Sequence, residues 1–159
     1  MNNYSERLAA FLLKLAYRSM RVYWFFARPV TLGVRVLMIR DDHVLLVRHT
    51  YQDAWYLPGG GVKRGETLEQ AVRREAWEEA GARLAEISLW GAYSQYFDYK
   101  SDHVMCFICT DFQLGGESDF EIERCGLFPL DRLPAGTNPG SRRRIEEYRR
   151  GRRREFGPW

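Results

Sequence analysis

A chain of 159 residues has the size of one domain, and 45% hydrophobic with 28% charged residues excludes wholesale disorder. The formal charge of +3 is uneven: residues 140–159 carry eight Arg against three Glu, while the remainder is slightly acidic. A generally basic, nucleic-acid-coating character is thereby excluded, because the basicity belongs to the tail.

The first 29 residues form a separate segment. Leu8, Phe11, Leu12, Leu15, Ser19, Val22 and Phe26 recur near helical spacing, with Arg7, Lys14, Arg18 and Arg21 between them. Pro29 is the expected stop. Charges interrupt the apolar runs too often for a membrane span or a secretory signal. The segment is expected to pack on its own domain or on a second subunit, which makes a homodimer plausible. Attachment to a membrane surface is the weaker reading.

Residues 31–40 and 43–49 read as strands joined by an Asp41-Asp42 turn. Trp55 to Gly61 is expected to be irregular, since Pro58 and three glycines interrupt it. Thr67 to Ala80 are helix formers, and Gly81 supplies a stop. Strands are expected over 87–97, 103–112 and 121–128, then a helix over 141–150, with 152–159 frayed. Strands interleaved with helices indicate an α/β or α+β layered domain.

The three cysteines, at 106, 109 and 125, cannot all pair. Cys106 and Cys109 are three apart in an apolar strand and point to opposite faces, which argues against a shared zinc. Free thiols suit a reducing, cytoplasmic setting.

Chemistry concentrates between Gly60 and Ala82. On a helical wheel Leu68, Val72, Glu75 and Glu79 share one narrow arc, Glu78 flanks it, and Trp77 points away. A solvated acidic face accounts for Glu69 but not for Glu75 and Glu79, which extend the apolar stripe. Clustered inward carboxylates repel one another unless a cation lies among them, and hard oxygen donors select Mg²⁺ or Mn²⁺. A glycine loop leading into a helix N-terminus favours phosphate. Together these are the parts of metal-assisted phosphoryl chemistry.

Gly60, Glu66, Arg74-Glu75-Ala76-Trp77-Glu78-Glu79 and Gly81 resemble the Nudix box of the Nudix (MutT-like) hydrolases, with every charged and glycine position in register. Ala76 and Ala82 stand where that family usually has a bulkier aliphatic residue. The resemblance covers residues 31–135 and implies an α/β/α sandwich around a mixed β-sheet. It leaves both terminal segments unexplained, so the chain is expected to divide into an N-terminal amphipathic helix (1–29), a Nudix domain (30–139) and an Arg-rich helix and tail (140–159).

By resemblance, Glu78, Glu79 and Glu75 would bind Mg²⁺ or Mn²⁺ with the Gly60 carbonyl, and Glu75 could serve as base. Arg74 would orient Glu75, and Glu66 would support the cluster. The reaction implied is attack of water on a diphosphate in a nucleoside diphosphate derivative or nucleoside triphosphate. Glu121 is the candidate acidic residue from outside the box, with Glu117, Asp119 and Glu123 as rivals. Arg35, Arg48 and Tyr96 are candidate substrate contacts.

Subgroup signatures are missing; Asp98, for example, stands where many ADP-ribose hydrolases of the family carry proline. The alternatives are a nucleotide sensor without catalysis and an RNA 5′-end pyrophosphohydrolase using the arginine-rich tail. Specific nucleic-acid binding is the weaker expectation for that tail, because Glu146 and Glu147 can pair with neighbouring arginines.

Overall fold

The computed structural model describes residues 20, 25–97, 99–152 and 155–159. Most of the expected N-terminal helix therefore lies outside the described residues. Of its end, residues 25–27 are helical, and Phe25 and Phe26 are exposed.

Strands β1 (Val30–Arg40) and β2 (His43–His49) form the expected hairpin. Asp41 and Asp42 both take positive φ, the conformation a two-residue hairpin turn with the right twist demands. β1 stays beside β2 only at Ile39 and Arg40 and otherwise runs parallel to β6 (Lys100–Cys109), from Val30 opposite Ser101 to Met38 opposite Cys109. β2 instead pairs with β3 (Trp55–Tyr56) and β8 (Ile122–Pro129), so the sheet forks at β1.

The glycine loop fills the fork. Val34 N–H donates to the Gly60 carbonyl (2.9 Å), Val36 N–H to that of Pro58 (3.0 Å), and Val62 N–H to that of Leu32 (3.0 Å). Gly59 has φ +139°, and a Cβ there would lie 2.1 Å from the Val34 oxygen, so only glycine fits.

β5 (Ser88–Phe97) adds antiparallel to β6. The resulting sheet is mixed and has a helix packed on each face. Helix α1 (Leu68–Ala80) buries Ala71, Val72 and Ala76 against Val34, Val36, Leu45, Val47 and Phe107. Thr67 caps it, accepting from Gln70 N–H while the Gln70 side chain accepts from Thr67 N–H. Gly81 ends it in the left-handed conformation. Helix α2 (Pro139–Arg149) packs Ile145 on the other face, with Leu37, Val44 and Leu46. Cys106 and Cys109 fall in these two opposite core layers, as their spacing requires.

Three local expectations are corrected. The stretch after residue 54 contains β3, held by Val47 and Arg48. The strand expected over 103–112 ends at Cys109, and β7 (Phe112–Leu114) leaves the main sheet to pair with β4 (Ala82–Leu84), a strand absent from the sequence reading.

The C-terminal end is also ordered rather than frayed. β9 (Phe156–Pro158) lies parallel to β5, and Trp159 is buried. The cause is packing on α2: a Cβ on Gly140 would come within 2.3 Å of the Trp159 indole nitrogen, so glycine admits the ring. Arg144, 2% exposed, donates to the Pro158 carbonyl (3.0 Å) and Glu147 (2.8 Å) and lies 3.7 Å over the Tyr93 ring. No described helix is long and apolar enough to cross a membrane.

Candidate functional site

The inward stripe of α1 meets the glycine loop at the fork. Glu79 is buried; one carboxylate oxygen accepts from Gly59 N–H (2.8 Å), and the other lies 3.5 Å from His49 Nε2. Glu75 is also buried and sits directly under Gly60, where a Cβ would lie 2.7 Å from its Oε1. Glycine at position 60 thus lets backbone approach the carboxylate closely. Glu78 is half-exposed on the flank of the stripe, and Trp77 faces away from the core.

Arg74 ties the acidic residues together. Its guanidinium grips Glu66 in bidentate fashion (2.7 and 3.0 Å) and donates from Nη1 to Glu75 (2.7 Å) and Glu78 (2.8 Å). It also donates to the Gly61 carbonyl (3.1 Å). The Arg74 bond, with a further one from Lys63 N–H, pulls the Glu66 carboxyl down to about 2; the Arg74 bonds to Glu66, then to Glu75 and Glu78, raise Arg74 itself against its burial.

Glu79 has no such partner. Burial pushes it up to about 7, and the charges of Glu75 and Glu121 add to the rise, against Arg35 and the Gly59 amide. Burial, assisted by the charge of Arg35, lowers His49 to about 4, so its ring is neutral near pH 7.

The outlying candidates separate into two groups. Glu121 is exposed; its carbonyl accepts from Thr50 N–H (2.9 Å), next to His49, and its charge contributes to raising Glu79 and Tyr51. Arg35 donates to the Leu57 carbonyl (2.8 Å), and its charge reaches Glu79, His49, Tyr51 and Tyr56. Among the described residues it has no ion pair within 4 Å, which leaves a cation available beside the acidic cluster. Asp119 N–H donates to the Glu78 carbonyl on α1 (2.8 Å), and Glu117 is exposed.

Arg48 and Glu123 pair with each other (2.6 Å), and Arg48 lies over Trp55. Tyr96, on β5 opposite Ser101, is two strands away from β1 and joins none of these groups. An open groove of about 580 Å³ runs along the start of α1, lined by Lys63, Arg64, Glu66, Gln70, Arg73 and Arg74.

No three His, Cys, Asp or Glu side chains among the described residues already converge as a finished metal shell. Arg74 occupies the space between Glu75 and Glu78, and Glu79 is turned to the Gly59 amide. The donor set still fits a hard divalent cation. Its members are all oxygen ligands, and among the described residues Glu79 is buried without a guanidinium of its own, while Glu75 shares Arg74 with Glu66 and Glu78.

A family model described as NUDIX domain matches residues 29–148. This chain belongs to the NUDIX domain family, and it is a Nudix hydrolase. An ADP-ribose pyrophosphatase of Methanocaldococcus jannaschii is 29% identical over 139 residues, 84% of this chain and 80% of that protein. An NAD-capped RNA hydrolase of Chromobacterium violaceum is 34% identical over 107 residues; the match covers 64% of this chain but only 39% of the relative. Among solved structures, a MutT NUDIX hydrolase from Burkholderia pseudomallei superposes with a TM-score of 0.67 at 26% identity, covering 74% of this chain and 96% of that one.

Within this Nudix fold the site has two further neighbours: His49, which from sequence ends a strand near the glycine loop and reads as a surface or core residue, and Tyr51, which the sequence does not single out. His49 follows Leu45 and Val47 at strand spacing on the α1 face of β2, so the alternation that placed those two in the core also points His49 at Glu79. Tyr51 lies beyond the strand, where no periodicity applies. Its ring stacks on His49 at 5.2 Å, and burial, then the charges of Glu121 and Glu79, push its hydroxyl up to about 12.

Proposed function

We propose that this protein is a divalent-metal-dependent pyrophosphohydrolase, cleaving the diphosphate linkage of a nucleoside diphosphate derivative or a nucleoside triphosphate. The observation that carries the reading is Glu75 and Glu79, buried with glycine-loop backbone packed on them, and Glu78 on their flank. Glu75, Glu78 and Glu79 would hold Mg²⁺ or Mn²⁺. The Gly60 carbonyl accepts one bond from Val34 and keeps a second lone pair for a ligand. When bound, such an ion supplies Lewis-acid activation of water and neutralises charge on phosphate oxygens.

The chain's own groups do the rest. Arg74, fixed by Glu66, orients Glu75 and Glu78 and screens their repulsion. Arg35 offers its guanidinium to a phosphate oxygen next to the carboxylates. Glu121 hangs from the turn before β8, exposed and near Glu79, where a carboxylate can take a proton from attacking water. His49, neutral and buried, holds the far side of Glu79 without bringing charge.

The sensor alternative is weakened by the retention of every box carboxylate. The RNA alternative draws on the arginine run, of which Arg144 is buried and Arg150 lies 3.5 Å from Glu146.

The test is product release from nucleoside triphosphates, nucleotide sugars, dinucleoside polyphosphates, ADP-ribose and 5′-triphosphate RNA, each with Mg²⁺, Mn²⁺ or EDTA. Cleavage of a small nucleotide that EDTA abolishes is the expected result. Metal-dependent binding with no cleavage across the panel would select the sensor. Cleavage confined to RNA, with affinity falling steeply as salt rises, would select the 5′-end enzyme.

A further inference from the structure

One end of the sheet keeps an apolar surface. Val30 and Leu32 continue along β1 the alternation that buries Val34 and Val36 under α1, yet both are exposed, Val30 by 74%. Ser101 on β6 stands opposite Val30 on one side and Tyr96 of β5 on the other, so the exposed Tyr96 belongs to the same face. The chain reaches this end through Phe25 and Phe26. Phe25 sets its ring edge-on to Phe26 (5.2 Å) and to Tyr99 of the β5–β6 turn (5.1 Å), and Phe26 is 79% exposed. Single surface hydrophobics are ordinary, but a group of them gathered at one end marks a surface that something else covers.

The rim of this patch is basic. Val62 N–H donates to the Leu32 carbonyl (3.0 Å), which brings the exposed Lys63 and Arg64 to the same edge, and the exposed Arg28 stands between Phe26 and β1. Asp102 belongs to the other face, opposite Thr31 and bonded to its hydroxyl (2.7 Å). The sequence that leads in has the same two properties. Residues 1–29 carry Arg7, Lys14, Arg18, Arg21 and Arg28 against Glu6 alone, and Val22-Tyr23-Trp24-Phe25-Phe26 is an unbroken apolar and aromatic run. Trp and Tyr flanked by arginines are the composition that settles where acyl chains meet headgroups. A second copy of the segment would set like charge on like charge, whereas an anionic lipid surface takes the rings and the arginines together.

We propose that this end of the molecule docks on a membrane surface rich in anionic phospholipid. Phe26, Val30, Leu32 and Tyr96 enter the headgroup boundary beside the aromatic run, and the arginines hold lipid phosphates. The open groove at the start of α1 begins at the same edge, since Gly61 bridges to Gly33 and Lys63 and Arg64 line the groove. A docked molecule therefore holds that groove close to the lipid.

The experiment is co-sedimentation of the full chain with vesicles of phosphatidylcholine alone and of phosphatidylcholine with about 30% phosphatidylglycerol, beside sedimentation velocity without lipid. Native protein should partition onto the anionic vesicles at least about tenfold more strongly than onto the neutral ones, and rising salt should release it. Phe26→Ser and Val30→Ser should each weaken that partition about fivefold, and Arg21→Gln by about as much. Phe26 is exposed, so its variant should keep the native thermal midpoint and test the surface without a risk to folding. Equal partition onto the two vesicles, no binding to either, or native partition by Phe26→Ser would overturn the proposal. A dimer without lipid that Phe26→Ser dissociates, in a protein that binds no vesicle, would overturn it in favour of a second copy. No readout here is cleavage, so failure in the substrate panel leaves this result standing.

Discussion

The two faces of the sheet both bury charge against a glycine, and they use it in opposite ways. On the α2 face, Gly140 admits the Trp159 indole, and the buried Arg144 finds Glu147, the Pro158 carbonyl and the Tyr93 ring within its own fold. On the α1 face, Gly60 admits the Glu75 carboxylate, and the neighbouring Glu79 is raised first by burial and then by the like charges of Glu75 and Glu121, against the Arg35 charge and the Gly59 amide. A buried charge compensated internally holds a structure together. Buried charges left to repel one another create a place for something from outside.

The largest expected effect breaks the α1 face. Glu79→Gln should lower kcat at saturating Mg²⁺ by roughly a thousandfold or more while the thermal midpoint holds or rises, because a buried, repelled carboxylate has been neutralised. Near-native turnover would refute the role given to Glu79.

Next, Arg144→Ala should cost about 3 kcal/mol in urea unfolding, since it removes a buried guanidinium with its bonds to Glu147 and the Pro158 carbonyl and its ring contact, and kcat of the folded protein should stay native. An equal stability loss from Arg150→Ala, whose partner Glu146 is 3.5 Å away at the surface, would erase the distinction between the faces.

Gly60→Ala sharpens the comparison. The new methyl would push on the Glu75 carboxylate, weakening Mg²⁺ roughly tenfold to a hundredfold in a titration of activity against metal.

A smaller signature is expected in stability against pH for EDTA-treated protein. Glu79 is raised from 4.5 to about 7, so the stability it contributes is present below pH 4.5 and is lost as pH climbs to 7. His49 is lowered from 6.5 to about 4, so its contribution is present above 6.5 and is lost as pH falls to 4. The two slopes oppose each other and should leave the native profile shallow between these limits. Glu79→Gln should unmask a rise with pH, and His49→Gln a fall; identical profiles for all three proteins would refute both assignments.

Smallest of all, Arg48→Ala should cost no more than about 1 kcal/mol, because the Arg48–Glu123 pair is partly exposed.

Much of the site was legible because it is local. The box, its cap and its stop lie within one loop and one helix, where spacing fixes which side chains share a face. Glu75, Glu79 and Trp77 could be assigned from a wheel alone. Arg144 obeys the same rule, since Ser141, Ile145 and Tyr148 share its stripe, but it was hidden in a run of arginines that reads as a solvated tail. β9 was not legible. A three-residue strand containing Gly157 and Pro158 has no pattern of its own, and its partner β5 is far away in sequence. The fork of the sheet was equally silent, because β1 has the same alternation whichever neighbour its amides find.

That fork ties the mobility of the site to the backbone of the sheet. The loop that positions Gly59 and Gly60 is also the acceptor for the amides of Val34 and Val36, both in the core. Lifting the loop would strip two interior N–H groups of their partners, at roughly 1–3 kcal/mol each. The bed on which the carboxylates rest is therefore as slow to open as the strand beside it.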